Sequence, residues 1–176
     1  RMSAAALLLT LCGVAGAKAQ SDAAHVLDAM FYNFDENRDG VIDAREANRF
    51  IANSFAEMDP GHSGQITRKA FRAYSFGLAD VAAQQGDAAR YDAAKDAIFN
   101  GWSHGRDTLT LAGYRSGVLA DARAAMKTSM RTTRSGKRRL SPLRVNHKAF
   151  NRIPFIARLM RACLLYTSDA ADDTPC

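Results

Sequence analysis

The stretch FDENRDGVIDARE, Phe34–Glu46, decides how this chain is read. Counted from Asp35, side-chain oxygens fall at the first, third, fifth, ninth and twelfth places: Asp35, Asn37, Asp39, Asp43 and Glu46. A hard cation such as Ca²⁺ takes six to eight oxygens at roughly 2.3–2.6 Å, so a short loop must wrap around it. Alternate residues turn inward, and Gly40 at the sixth place supplies the positive φ that the sharp turn requires. Val41 offers a backbone carbonyl, Asp43 reaches the ion directly or through water, and Glu46 is long enough to bind with both oxygens. The candidate ligands are therefore Asp35, Asn37, Asp39, Val41, Asp43 and Glu46. Ile42, at the eighth place, has the apolar character expected where two such loops join through a short β-bridge.

Helical spacing flanks this loop on both sides. Leu27, Met30, Phe31 and Phe34 stand at i, i+3, i+4 and i+7, which predicts an entering helix with one apolar face, capped by Ser21 or Asp22. Ala47, Phe50, Ile51, Phe55 and Met58 continue an apolar stripe beyond it. A second frame, DPGHSGQITRKAF, starts at Asp59. Gly64 and Ile66 fit the turn and the bridge, but Gly61 and Ala70 remove oxygens from the third and twelfth places. It reads as a degenerate loop kept for pairing, with His62 facing solvent. Phe71, Tyr74 and Leu78, then Tyr91 and Ile98, predict further helices. Placing Leu109 at the bridging position of WSHGRDTLTLAGYRSG makes Trp102 the first residue of a third frame and Gly113 the twelfth. A frame from Ser103 fits no better, and an ordinary helix connection fits equally well.

Asp35 and Asp59 are separated by one helix of about 15 residues, roughly 22 Å long, which holds the first two loops apart. The second loop is then placed to pair with the third. Another equal step lands at 126, where a fourth loop paired with the first is expected in the natural protein and is expected to be missing here.

The ends of the chain differ from its middle. Residues 1–19 predict a secretory signal: a basic start, an apolar run over Ala4–Ala17, then Ala17-Lys18-Ala19. That run is short for a membrane span. With Arg1 ahead of Met2, the natural start is expected elsewhere. Residues 1–125 carry 13 Lys and Arg against 15 Asp and Glu, whereas residues 126–162 carry 11 and no acid. This segment reads as frame-shifted or disordered. RTTRSGKRRL is alternatively a tail for nucleic acid or an anionic surface. PFIARLMRACLL is alternatively a basic amphipathic helix with Phe155, Ile156, Leu159, Met160, Cys163 and Leu164 on one stripe. No partner is drawn from the net charge of +6. Residues 163–176, with CLLYTSDAADDTPC, resemble translated sequencing-adapter sequence and are expected to be artefactual. Residues 20–125 contain no cysteine, which excludes a disulfide or a thiolate metal site there.

On the loops at 35–46, 59–71 and 102–115, residues 25–118 resemble exported bacterial members of the EF-hand family. The resemblance implies an all-α fold over residues 20–125, built of EF-hand helix-loop-helix units, with one well-formed loop and one or two degenerate loops. It further implies Ca²⁺ as the bound ion and a periplasmic or extracellular location. The expected function is calcium binding by a sensor or buffer, or by a calcium-stabilised structural or adaptor module. Partners other than calcium are unassigned, with neither nucleic acid nor a stable membrane anchor expected. No G-x-S-x-G, phosphate loop or H-E-x-x-H is present, and His25, His62, His104 and His147 are scattered, so the chain is not read as an enzyme.

Overall fold

A computed structural model describes residues 24–129 and 142–164. The expected signal, the Ser21 or Asp22 cap, the RTTRSGKRRL run and the adapter-like end beyond 164 lie outside the described residues. Helix α1 covers 24–34, with Leu27 and Phe31 buried and Met30 and Phe34 half-buried, as its spacing predicts. The Asp35 amide donates to Phe31 O at 2.9 Å and ends the helix. Strand β1 (Val41–Asp43) follows, then α2 (Ala44–Met58). Asp43 caps α2 in a reciprocal box: its carboxylate takes the Glu46 amide, and the Glu46 carboxylate takes the Asp43 amide. Helix α2 buries Ile51, Phe55 and Met58 and is both the exit from the first loop and the entry to the second.

Strand β2 (Gln65–Thr67), α3 (Arg68–Ala73), α4 (Ala79–Gln84), α5 (Ala88–Ser103), β3 (Thr108–Thr110) and α6 (Leu111–Ser129) come next. Strand β2 pairs antiparallel with β3, Ile66 opposite Leu109, so Leu109 does hold the bridging position. The turn before it differs from the predicted frame. Helix α5 runs through Trp102 to Ser103, leaving four residues before β3 where six separate α1 from β1. Trp102 is therefore not a loop residue. Its indole lies on the Gly117 backbone, where an added Cβ would stand 2.4 Å from the ring, and it packs edge-on to Phe71, Tyr114 and Phe155.

The largest departure from expectation is the basic segment. Helix α6 crosses position 126 without a break, and residues 142–164 form β4 (Arg144–Asn146), α7 (His147–Phe150) and α8 (Pro154–Leu164). Strand β4 pairs antiparallel with β1, Ile42 opposite Val145. The first loop thus has a partner in this chain, drawn from the segment read as frame-shifted or disordered. The reason is positional. Val145, Phe150, Phe155, Ile156, Leu159 and Cys163 are buried, while Arg144, Lys148, Arg152, Arg158 and Arg161 are exposed. Net charge of a segment does not prevent burial when the cations fall on the outer positions. Fully burying each large apolar side chain contributes about 1.5–3 kcal/mol. Cys163 belongs to this core and not to an appended tail.

The result is a mainly helical fold with two short two-stranded sheets, β1–β4 and β2–β3. Phe31 and Phe34 meet Phe150 at 5.6 Å between ring centroids, joining α1 to the C-terminal unit. The Ser54 and Tyr114 hydroxyls, 2.9 Å apart, join α2 to α6. Among the described residues no helix is long and apolar enough to cross a membrane.

Candidate metal centre

One local design occurs four times. Each strand has a buried apolar residue at its centre: Ile42, Ile66, Leu109 and Val145. The residue after it caps the following helix by accepting an amide three residues on. The pairs are Asp43 with Glu46 N (2.9 Å), Thr67 with Ala70 N (3.2 Å), Thr110 with Gly113 N (3.2 Å) and Asn146 with Ala149 N (2.9 Å). The twelfth place is therefore Glu46, Ala70, Gly113 or Ala149. Glu46 alone brings a carboxylate.

That carboxylate closes the first loop. Glu46 Oε1 accepts from Asn37 N at 3.3 Å and Oε2 from Asp43 N at 2.9 Å, so one side chain ties the third and ninth places together. At the other end, Asp35 Oδ1 accepts from Asp39 N at 3.1 Å and Oδ2 from Gly40 N at 2.8 Å. Asn37 Oδ1 takes the Asp39 amide and Asp39 Oδ1 the Val41 amide, both at 2.9 Å. Gly40 has φ +79°, and an added Cβ there would meet nothing within 4 Å. The glycine serves the backbone conformation and not a close approach.

Burial separates these acids. Asp35 is 1% and Glu46 2% exposed, whereas the Asp39 side chain faces solvent. Neither Asp35 nor Glu46 has a Lys, Arg or His within ion-pair distance among the described residues. Two carboxylates thus stand at opposite ends of one loop, removed from water, held only by neutral amides. Such groups are costly without a positive partner. As they stand, no three His, Cys, Asp or Glu side chains among the described residues converge to hold a metal ion. Each carboxylate of the loop accepts instead from backbone amides. Asp39 and Asp43 would have to exchange their amides for an ion to complete a cage. The donor set, all oxygen, fits a hard cation such as calcium and not a soft one.

The Glu46 amide is the main group holding the Asp43 carboxyl below its ordinary range, against partial burial and with help from the Arg45 amide and the Arg45 and Arg144 charges. Loop 59–70 reproduces the opening half only. Asp59 Oδ1 accepts from Ser63 N at 2.9 Å and Oδ2 from Gly64 N at 2.7 Å, as Asp35 does in its own loop. Burial pushes the Asp59 carboxyl up, but the Ser63 amide and hydroxyl and the Gly64 amide outweigh it and leave it lowered. His62 is exposed with φ 51°. With Ala70 at the twelfth place, no carboxylate closes this ring. The four-fold capping pattern was not recognised in the sequence, although the Ile-Asp, Ile-Thr, Leu-Thr and Val-Asn pairs carry it.

Comparison with known proteins adds nothing to this geometry: no protein family, curated protein or solved structure matches the chain.

Proposed function

We propose that residues 35–46 bind one calcium ion, in an EF-hand-like unit of an exported protein, through Asp35, Asn37, Asp39, the Val41 carbonyl, Asp43 and Glu46. The observation carrying this reading is the pair of buried carboxylates, Asp35 and Glu46, closing one loop with no Lys, Arg or His within ion-pair distance of either among the described residues. The other three units supply the frame: β4 steadies the loop through Ile42–Val145, and β2–β3 repeats that join without a comparable acid set. No catalytic role is proposed for the acids assigned to the ion.

The test is calorimetric titration of calcium into the full chain and into Glu46→Gln, with circular dichroism on both. One site, lost in the variant, supports the proposal. Absence of heat from the wild-type chain rejects it.

A second reading, a calcium-stabilised structural module with no sensing role, is favoured by α8. The apolar residues Phe155, Ile156 and Leu159 of α8 are buried, and among the described residues only Tyr32 and Leu111 are large apolar side chains left exposed. A sensor must open apolar surface when it binds the ion. An apolar-dye titration separates the two, since dye fluorescence rises with calcium for a sensor and stays flat for a structural site.

A further inference from the structure

The two sheets share one register when each strand is aligned on its central apolar residue. In β2–β3, the ends are Gln65 opposite Thr110 and Thr67 opposite Thr108. In β1–β4, they are Val41 opposite Asn146 and Asp43 opposite Arg144. Three of these four cross-strand ends are uncharged. The fourth sets an arginine from the partner strand against the ninth residue of the candidate calcium loop.

Arg144 is exposed and has no carboxylate within ion-pair distance among the described residues, so it is not the counter-ion of Asp43. It nevertheless stands directly across the β1–β4 pair from Asp43. Thr108 holds the equivalent place in the other sheet and carries no charge. Arg45 places another cation near Asp43, but from the loop's own helix. Arg144 differs because the partner unit supplies it.

We infer that Arg144 is an electrostatic counterweight to the bound ion, set across the β1–β4 pair from Asp43 so that the fourth unit holds down the calcium affinity of the first. This rests on the calcium reading above and deepens it. The loop's carboxylates are present with or without the ion, so their attraction for Arg144 changes little on binding. What binding adds is repulsion between the guanidinium and a divalent cation. Such a repulsion between solvent-exposed groups is modest and is screened within a Debye length of about 10 Å at 0.1 M salt. The site is thereby biased toward surroundings rich in calcium.

The experiment is calcium titration of the full chain and of Arg144→Gln, Arg144→Glu and Arg144→Lys, at about 20 mM and about 500 mM monovalent salt, chosen to bracket that screening range. The Gln variant is expected to bind roughly three- to tenfold more tightly than wild type at low salt, a size set by one unit charge acting on a divalent ion through water. Glu binds tighter still, Lys matches wild type, and the differences shrink at high salt. A misfolded variant does not gain affinity, so a gain is interpretable. Equal affinity for wild type, Gln and Glu at low salt overturns the inference and leaves the calcium site standing. No calcium binding by any of the four overturns both.

Discussion

The Phe150 ring stands edge-on to Phe31, 5.6 Å between centroids, and is equally close to Phe34. One aromatic from the basic C-terminal unit therefore fills the face of the helix that leads into the acidic loop. Replacing Phe150 with Ala should cost about 3–5 kcal/mol, the range for buried phenylalanines. Chemical denaturation monitored by far-UV circular dichroism measures it. A loss near zero would mean that residues 142–164 do not share a core with α1.

Glycines 40 and 117 make opposite demands. An added Cβ at Gly40 meets open space, so Gly40→Ala should cost only the strain of positive φ, about 1 kcal/mol. At Gly117 the same Cβ would stand 2.4 Å from the Trp102 ring, and the indole must move. Gly117→Ala should be the more damaging and should shift the fluorescence of the chain's single tryptophan, while Gly40→Ala leaves the spectrum unchanged.

Two carboxyls should tune stability with opposite sign. Asp59 has a lowered folded pKa, so it stabilises the fold above the unfolded carboxylate value of about 3.9, an effect lost as pH falls through the folded value. Asp121 is raised by burial despite the Phe155 amide and Arg158. Its folded state favours the proton, so its contribution is greatest in acid and is lost as pH rises through the folded value. Asp121→Asn should raise the melting temperature at pH 7 and change it little near pH 3. Asp59→Asn should lower it at pH 7 and converge with wild type in strong acid.

Cys163 is buried and its thiol is pushed up to about 11, chiefly by burial and further by Asp87. In a Cys12→Ser, Cys176→Ser background it should resist thiol reagents at pH 7 and react fully once urea unfolds the chain. Fast labelling of the folded protein would place α8 off the core.

The helices around Leu27–Phe34 and Ile51–Met58 were legible because burial there follows the helical period that the sequence displays. Leu109 could be assigned to the bridge because one apolar residue sits between two threonines. Trp102 could not be placed by counting back from it, since the turn after α5 is two residues shorter than the frame assumes. The stripe of Phe155, Ile156, Leu159 and Cys163 is equally readable, but the arginines around it give the segment a composition that hides it. Charge per segment says where a surface is basic; spacing says which face is buried. In residues 142–164 both are true, and the second fixes the fold.

The sheets nest, β2–β3 lying within the stretch of chain that β1–β4 encloses. A chain emerging from the ribosome can close the inner pair as soon as β3 is free, but β4 is still unmade. The outer pair needs the larger loop closure, and the entropy of that closure falls when the inner pair has already shortened the path. The first acidic loop to be synthesised is thus the last to acquire its neighbouring strand. During that interval the loop has its own amides but no cross-strand neighbour, and its full ordering becomes a late event that waits for β4.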